Sequence, residues 1–275
     1  MLIVGERINS SRKKIRKAIE DRDAEFIQKE AAKQLQAGAT HIDVNAGTSV
    51  SAEADDLKWL VETVQSAVDA PLCIDSPSAK AQAEALKLHK GKPMINSITA
   101  EEERAEGILP LVKEHDALVV ALTMGTGAIP TSKEERMEAA AKIVEMLQAA
   151  GIELTNVYWD PAVSAVSTDQ KAALDVAATV RELMTTYEGT HTICGLSNIS
   201  FGLPNRNILN RTYLTLLMAE GLDGVIMDPT EKHMMSALLA TQVLLGKDDF
   251  CMNYITAERE ARFVAYENHK PITAK

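Results

Sequence analysis

Eight short apolar runs, each followed by a stretch with helical periodicity, constrain the fold of this chain more than any other feature. The runs are typical of buried β-strands: LIVG (2–5), HIDV (41–44), LCID (72–75), PMIN (93–96), ALVVALTM (117–124), VYWD (157–160), TICGLSN (192–198) and GVIMD (224–228). After the second run, for example, Leu57, Leu60, Val61, Val64 and Val68 fall on one helical face. Eight uninterrupted units predict an all-parallel sheet closed by right-handed crossovers, which is a (β/α)8 or TIM barrel of the α/β class.

Capping signals predict where several helices begin and end. The spacing of a capping box, in which a hydroxyl side chain is followed three residues later by Glu or Gln, occurs at Thr99–Glu102, Ser132–Glu135 and Ser167–Gln170. Glycines that suit a left-handed residue after a helix stand just before most strands, at Gly38, Gly91, Gly151, Gly189, Gly221 and Gly246.

The length of 275 residues suits one barrel domain, which typically needs about 250 residues. We therefore expect a single domain over 1–275, with a C-terminal helical tail from about residue 247 that lies against the barrel or a partner subunit. The alternative fold is an open, doubly wound sheet. That fold would need edge strands, and none of the eight runs is more polar than the others.

Charge and cysteine content exclude several classes of protein. The net charge of −10 disfavours nucleic acid as a partner. Three widely spaced cysteines favour neither a disulfide framework nor a zinc site, and no apolar run is long enough to cross a membrane, so we expect a cytoplasmic protein. The basic cluster at 11–17 is interpreted as a solvated helix face, with contact to an anionic ligand tail or partner as the alternative.

Acids and amides follow nearly every predicted strand. In parallel barrels the carboxyl ends of the strands meet at one rim, where catalytic side chains lie. A helix N-cap could explain any one such residue, but not a set that covers almost the whole rim. The set consists of Glu6, Asp43, Asn45, Asp75, Asn96, Thr123, Asp160, Ser197, Asn198 and Asp228.

The polar rim favours a flat heterocycle that is rich in N–H groups. No histidine pair has metal-ligand spacing, no glycine-rich phosphate loop occurs, and Ser197 has no candidate histidine base near it in sequence. A carboxylate can accept two parallel hydrogen bonds from an amidine-like pair, and an amide can match a lactam edge. A pterin presents both of these edges.

Six motifs in this chain resemble those of the methyltetrahydrofolate methyltransferases. They are GERIN (5–9), DVNAG (43–47), CIDS (73–76), MINSI (94–98), DP (160–161) and GLSNISFGLPNR (195–206), and they span almost the whole chain in the family's order. The family includes the acetogenic methyltetrahydrofolate:corrinoid/iron–sulfur protein methyltransferase and the folate domain of cobalamin-dependent methionine synthase.

This resemblance implies a pterin-binding barrel in which the site residues can be assigned one by one. It implies that Asp75, Asn96 and Asp160 bind the pterin ring and that Asn198 lies near N5 of the folate as the catalytic residue. It further implies that Gly195, Ser197 and Arg206 shape the pocket, that Ile226 packs on the ring, and that Asp43 also lines the pocket.

The resemblance also implies the reaction and its partners. A methyl group would move, in either direction, between N5 of methyltetrahydrofolate and the cobalt of a corrinoid, with no metal bound by the chain itself. Since the chain lacks an Asp-x-His-x-x-Gly cobalamin signature, we expect a separate corrinoid protein to bring the cofactor. A homodimer is expected from the family. Three methionines near the C-terminal end, Met218, Met234 and Met235, could line the interface of this dimer or pack in the core of the barrel.

Two other functions remain as alternatives. Dihydropteroate synthases share the pterin barrel, but they carry a basic residue where this chain has Asn198 and a Thr-Arg-Pro-Gly loop where it reads NAGTSV. A non-catalytic folate-binding subunit would tolerate the loss of Asn198. Phe201 and Gly202 resemble the methionine synthase pattern and leave contacts with the substrate's tail and the partner open.

Overall fold

Eight parallel strands and the helices between them make up the fold in the computed structural model, which describes residues 1–47, 49, 51–127, 129–260 and 262–263. The strands are β1 (Leu2–Asn9), β2 (His41–Asn45), β3 (Leu72–Asp75), β4 (Met94–Ile98), β5 (Leu118–Leu122), β6 (Val157–Asp160), β7 (His191–Thr192) and β8 (Gly224–Met227). They form one sheet in the order β7-β6-β5-β4-β3-β2-β1-β8.

The helices alternate with these strands. They are α1 (Lys13–Glu20), α2 (Ala24–Gln36), α3 (Glu53–Gln65), α4 (Ala79–Leu86), α5 (Glu102–Glu114), α6 (Lys133–Ala150), α7 (Ala172–Thr186), α8 (Arg206–Ala219), α9 (Lys232–Leu244) and α10 (Met252–Arg259). Short 3-10 turns cover Leu154–Asn156, Leu196–Ser200 and Asp249–Cys251. Within the described residues no helix is long and apolar enough to cross a membrane.

The sheet closes between β8 and the segment after β7. The Ile226 amide donates to the Cys194 carbonyl over 2.9 Å, and Gly195 and Ile226 form a parallel bridge. The predicted barrel is therefore confirmed and the open, doubly wound sheet was wrong. The closure also brings Gly195 beside Ile226.

Side-chain alternation explains why the polar rim faces inward. The barrel interior is filled by a small apolar cluster, namely Val4, Cys73, Met94, Val120, Tyr158 and Ile193. Because strand side chains alternate between the two faces, residues two positions after a lumen residue also face the lumen, one layer higher. Asp75 follows Cys73 in this way, Asn96 follows Met94, and Asp160 follows Tyr158.

Some predicted boundaries hold and others do not. The Ser132 hydroxyl accepts from the Glu135 amide and caps α6, and the six helix-end glycines all have positive φ. The cap predicted at Thr99 was wrong, because Glu101 precedes α5. The cap predicted at Ser167 was also wrong, because α7 begins at Ala172 and the Ser167 hydroxyl instead donates to the Phe201 carbonyl over 2.7 Å.

The seventh strand is shorter than predicted, and the structure describes only part of the predicted C-terminal tail. The run 192–198 was predicted to be strand throughout, but β7 ends at Thr192 and a 3-10 turn follows. The predicted tail contains α10, and its continuation through 264–275 lies outside the described residues. Met218 and Met234 are buried in the core and Met235 packs against it, which favours core packing for the late methionines.

Candidate active site

A cavity of about 790 Å³ opens at the carboxyl ends of the strands. All nine residues predicted for the site line it: Asp43, Asp75, Asn96, Asp160, Gly195, Ser197, Asn198, Arg206 and Ile226. Two parts of the lining are built differently. We call Asp43, Asp75, Asn96 and Asp160 the acid floor, and Gly195, Ser197, Asn198 and Arg206 the β7 wall.

Strand register sets the spacing of the acid floor. Asp75 lies level with Asn45 on β2 and with Asn96 on β4, so that the carboxyl group stands between two amides. The Asn45 side-chain nitrogen donates to Asp75 Oδ2 over 3.1 Å. Asp43 lies one layer deeper, level with Cys73. This row of acceptors and donors results from adjacent strands ending at one height.

Burial dominates the electrostatics of Asp43 and Asp75. It raises the pKa of Asp43 well above its usual value, and the nearby Asp75 carboxyl adds to this rise. Burial also raises the pKa of Asp75, against the hydrogen bond from Asn45 and the charge of Arg104. Asp43 Oδ1 is buried and has no hydrogen-bond partner among the described residues. The floor thus contains an acceptor that a ligand N–H group could satisfy.

Asp160 is the third acid of the floor. Burial raises its pKa to about 6, although the backbone amides of Ala162 and Gly195 stabilise the ionised form. The Ala162 amide donates to Asp160 Oδ1 over 2.9 Å. In the part of the chain that the structure describes, none of the three floor acids forms an ion pair with Lys or Arg. Their acceptor atoms therefore suit a ligand that carries several N–H donors.

The β7 wall lies on a 3-10 turn and the start of α8. Arg206 holds the turn in place, since its Nε donates to Ser200 Oγ over 3.0 Å and its Nη2 to the Ser197 carbonyl over 2.5 Å. The Asn198 side chain is exposed to the cavity. A Cβ atom at Gly195 would stand 3.4 Å from Asn198 Nδ2, so glycine leaves the amide room beside the backbone.

An apolar surface completes the inner cavity. Ile226 on β8 is half-buried, stands next to Gly195, and lines the cavity together with Leu122 and Met227. The inner cavity thus combines the hydrogen-bonding groups of the acid floor with an aliphatic surface at Ile226.

Asp228 belongs to the polar rim but is occupied by protein contacts. Arg7 Nη1 donates to its Oδ2 over 2.7 Å, and the Thr230 hydroxyl and amide bind its Oδ1. Although burial acts to raise the pKa of Asp228, these hydrogen bonds and the charge of Arg7 lower it overall. Asp228 is thus a structural carboxylate at the edge of the site.

Sequence reasoning missed several lining residues. Asn9 lies on the cavity because β1 runs four residues further than the predicted strand. Arg12, from the basic cluster, also lines the cavity and pairs with Glu6 over 3.3 Å. Others come from helices and loops whose sequence carries no signal of their position, namely Asn207, Asn210, Glu231 and Met234.

Several known proteins are similar to this chain over most of its length. Residues 5–228 match the family model described as pterin binding enzyme. The chain is 38% identical over 264 residues to a methylcorrinoid:tetrahydrofolate methyltransferase of Eubacterium limosum, covering 95% of this chain and 97% of that protein. A methionine synthase of Mycobacterium leprae is 28% identical over 239 residues, which span 82% of this chain and 20% of that protein.

Solved structures resemble the barrel at lower identity. Dihydropteroate synthase from Xanthomonas albilineans, in complex with 7,8-dihydropteroate, has a TM-score of 0.69 at 18% identity and covers 89% of this chain and 93% of that one. Dihydropteroate synthase from Thermus thermophilus has a TM-score of 0.64, also at 18% identity, with 86% and 91% covered. At this identity the likeness shows the fold alone.

Proposed function

This chain belongs to the pterin-binding enzyme family, and from that premise we propose that it is a methyltransferase acting between a folate and a corrinoid. The methyl group moves between N5 of methyltetrahydrofolate and the cobalt of a corrinoid carried by a separate protein. The observation that carries this proposal is the similarity, over almost the full length of both chains, to the Eubacterium limosum methylcorrinoid:tetrahydrofolate methyltransferase. The donor and acceptor pattern of the cavity supports it.

We assign binding of the pterin ring to the acid floor. Asp75 and Asp160, as carboxylates, accept hydrogen bonds from the ring's N–H groups, and Asn96 matches the lactam edge. The unpartnered Oδ1 of Asp43 supports the same assignment, since an unsatisfied buried acceptor is costly without a ligand. Ile226 covers one face of the ring, while Ser197 and Arg206 shape the opposite wall.

We assign the catalytic role to Asn198. When the cobalt(I) of the reduced corrinoid attacks the methyl group, the electron pair of the N–C bond stays on N5, which takes a proton from solvent to give tetrahydrofolate. Without a hydrogen bond or proton, this nitrogen is a poor leaving group. Asn198 donates a hydrogen bond to N5 that strengthens as this charge develops, and such a contact lowers the barrier. An amide needs no particular protonation state for this role. The exposed side chain of Asn198, without a hydrogen bond to any described residue, supports the assignment.

We further propose a cytoplasmic homodimer that receives a corrinoid protein at the cavity mouth. Support for a dimer comes from large apolar side chains that remain exposed on α8, at the end of α9 and around α10: Ile208, Leu216, Leu244, Phe250, Met252 and Ile255. Sedimentation of Leu244→Ser should show a shift toward monomer. Leu174→Ser, which changes an exposed leucine on α7, should sediment like the parent.

The reaction can be tested with methyltetrahydrofolate and reduced free cobalamin. The purified chain should produce methylcobalamin, which is followed by its absorption spectrum, and the reverse reaction should consume it. Folate binding without methyl transfer to any corrinoid would instead indicate a non-catalytic folate-binding subunit. Condensation of p-aminobenzoate with a pterin pyrophosphate would indicate a dihydropteroate synthase.

A further inference from the structure

A fully buried arginine binds the loop that follows Asp160. Arg136 on α6 is 0% exposed, and its guanidinium donates to three backbone carbonyls. Nε reaches Pro161 O at 2.6 Å, Nη1 reaches Ser132 O at 3.0 Å, and Nη2 reaches Ala162 O at 3.3 Å. Within the described chain Arg136 has no carboxylate at ion-pair distance. A buried cation without such a partner is costly, so its position calls for a physical reason.

Arg136 holds the turn that follows Asp160. Two of its three acceptors are the carbonyls of Pro161 and Ala162, the residues directly after Asp160. Ala162 has a φ of 52°, in the left-handed region that disfavours residues with a Cβ atom. In this conformation its amide points back and donates to Asp160 Oδ1 over 2.9 Å. The bonds from Arg136 stabilise the turn and, through it, the orientation of the carboxyl group.

The positive charge of Arg136 also acts on Asp160. Of the other titratable groups around Asp160, Cys194 lies after β7 and Tyr213 lies on α8. Burial raises the pKa of the Cys194 thiol and of the Tyr213 hydroxyl, so both are neutral near pH 7. The positive charge of Arg136 opposes the rise that burial causes in the pKa of Asp160.

We propose that Arg136 is a positioning residue that keeps Asp160 ionised and aimed into the cavity. The proposal rests on the proposed function in one respect, namely that Asp160 binds the pterin. Gln82 on α4 serves as an uncharged control for Arg136, because it also binds backbone carbonyls next to the acid floor. Its side-chain nitrogen donates to the carbonyls of Ser76 and Asn96, at 2.9 and 2.8 Å, and so holds the other side of the acid floor without carrying a charge.

The test compares Arg136→Met, Arg136→Lys and Gln82→Met. Carbon-13 NMR of labelled aspartate carboxyl groups in the ligand-free protein reports the titration of Asp160, assigned by comparison with Asp160→Asn. In Arg136→Met the titration midpoint of Asp160 should move up, because the opposing positive charge is gone and the turn that directs the Ala162 amide at the carboxyl group loses its hydrogen bonds. Gln82→Met should leave the midpoint unchanged. Arg136→Lys should also leave it near the parent value, because the charge remains.

Binding of methyltetrahydrofolate distinguishes positioning from a general loss of stability. In Arg136→Met the pH midpoint of binding should move up together with the Asp160 titration. Arg136→Lys should bind folate about tenfold more weakly at neutral pH, since it loses contacts to the turn. If Arg136→Met does not fold, the folate affinity of Arg136→Lys tests the positioning role by itself. An unmoved Asp160 midpoint in Arg136→Met, or parent-like affinity in Arg136→Lys, overturns the proposal. If the parent protein binds no folate but the midpoint still moves, the proposed function fails while the role of Arg136 stands.

Discussion

The acid floor and the β7 wall line the same cavity but are held in different ways. The floor residues stand on strands, and their spacing follows from strand register: Asp75 is level with Asn45 on β2 and with Asn96 on β4, whose register shifts just after Asn96. The wall residues stand on and next to a 3-10 turn and at the start of α8, where Arg206 holds the turn by donating to Ser200 Oγ and to the Ser197 carbonyl. Strand pairing therefore positions the floor residues without a ligand, whereas the wall leaves the Asn198 amide unbonded within the described chain.

This difference suggests that the acid floor determines folate affinity and that the β7 wall determines the rate of methyl transfer. A preformed set of acceptors contributes equally before and after methyl transfer, so it strengthens binding without lowering the barrier. An unbonded side chain can make a contact that is strongest in the transition state. Substitutions in the two regions should therefore change different kinetic constants.

The largest effect is expected from Asn198→Ala. Loss of one hydrogen bond to the developing charge on N5 should raise the barrier by roughly 3–4 kcal/mol, as the loss of one oxyanion-hole donor does. Single-turnover methyl transfer at saturating folate measures this, with the folate dissociation constant determined in parallel. Asn207→Ala, which removes another exposed amide from the cavity lining, serves as the control. A parent-like rate for Asn198→Ala would remove Asn198 from the mechanism.

Asp75→Asn should act mainly on binding. Losing a hydrogen bond to a charged acceptor should weaken folate affinity by about 1.5–3 kcal/mol, while the single-turnover rate at saturating folate stays close to that of the parent. Calorimetry gives the affinity. Asp228→Asn is the matched control, because that carboxylate is occupied by Arg7 and Thr230. Equal losses of affinity in both variants would contradict the separate role of the floor.

Folate affinity should depend on pH through Asp160. Its pKa is raised to about 6 in the free protein, so below this pH the acid is protonated and cannot accept two N–H bonds. Affinity should be constant above about pH 7 and fall by up to about tenfold per unit as the pH drops through 6. Asp160→Asn should flatten this part of the profile. Affinity that rises toward acid pH would show that the protonated form binds.

The smallest effect is expected at Phe201, beside the β7 wall. The ring is 68% exposed and lies 6.0 Å from the Arg206 guanidinium. Because this contact is exposed, Phe201→Ala should lower the free energy of unfolding by about 1 kcal/mol or less, measured by denaturant titration. Phe201→Leu keeps an apolar side chain without the ring. A decrease of several kcal/mol in the free energy of unfolding would show that Phe201 contributes to the packing of the core, contrary to its exposed position.

The acid floor could be predicted from the sequence because two periodic rules determine it. Strand ends lie at one rim in a parallel barrel, and alternation decides which face each side chain takes. Asp75, Asn96 and Asp160 satisfy both rules, and the structure places all three on one cavity. The strand-end rule also selects Asn198, to which the family motifs give a role, and the motifs alone add Arg206.

The β7 wall and the contacts of Arg136 with the loop after Asp160 could not be predicted in the same way. The run 192–198 is apolar enough to be read as strand, but its backbone turns into a 3-10 helix where the barrel closes against β8. Arg136 falls within an ordinary charged stretch of helix, and its burial depends on the loop after β6, some 25 residues away in sequence. Contacts between residues so far apart cannot be recognised from the sequence around either residue.

The sequence by itself determined the eight-unit barrel, the rim that carries its chemistry, and the family to which the chain belongs. Each of these follows from local periodicity or from motifs that are contiguous in the chain. Only the tertiary structure decided which rim carboxylates remain available to a ligand, since Asp228 is bound by Arg7 across 221 residues while Asp43 Oδ1 is left without a described partner. The physical reason is that the partners and desolvation of a side chain depend on residues that only folding brings together.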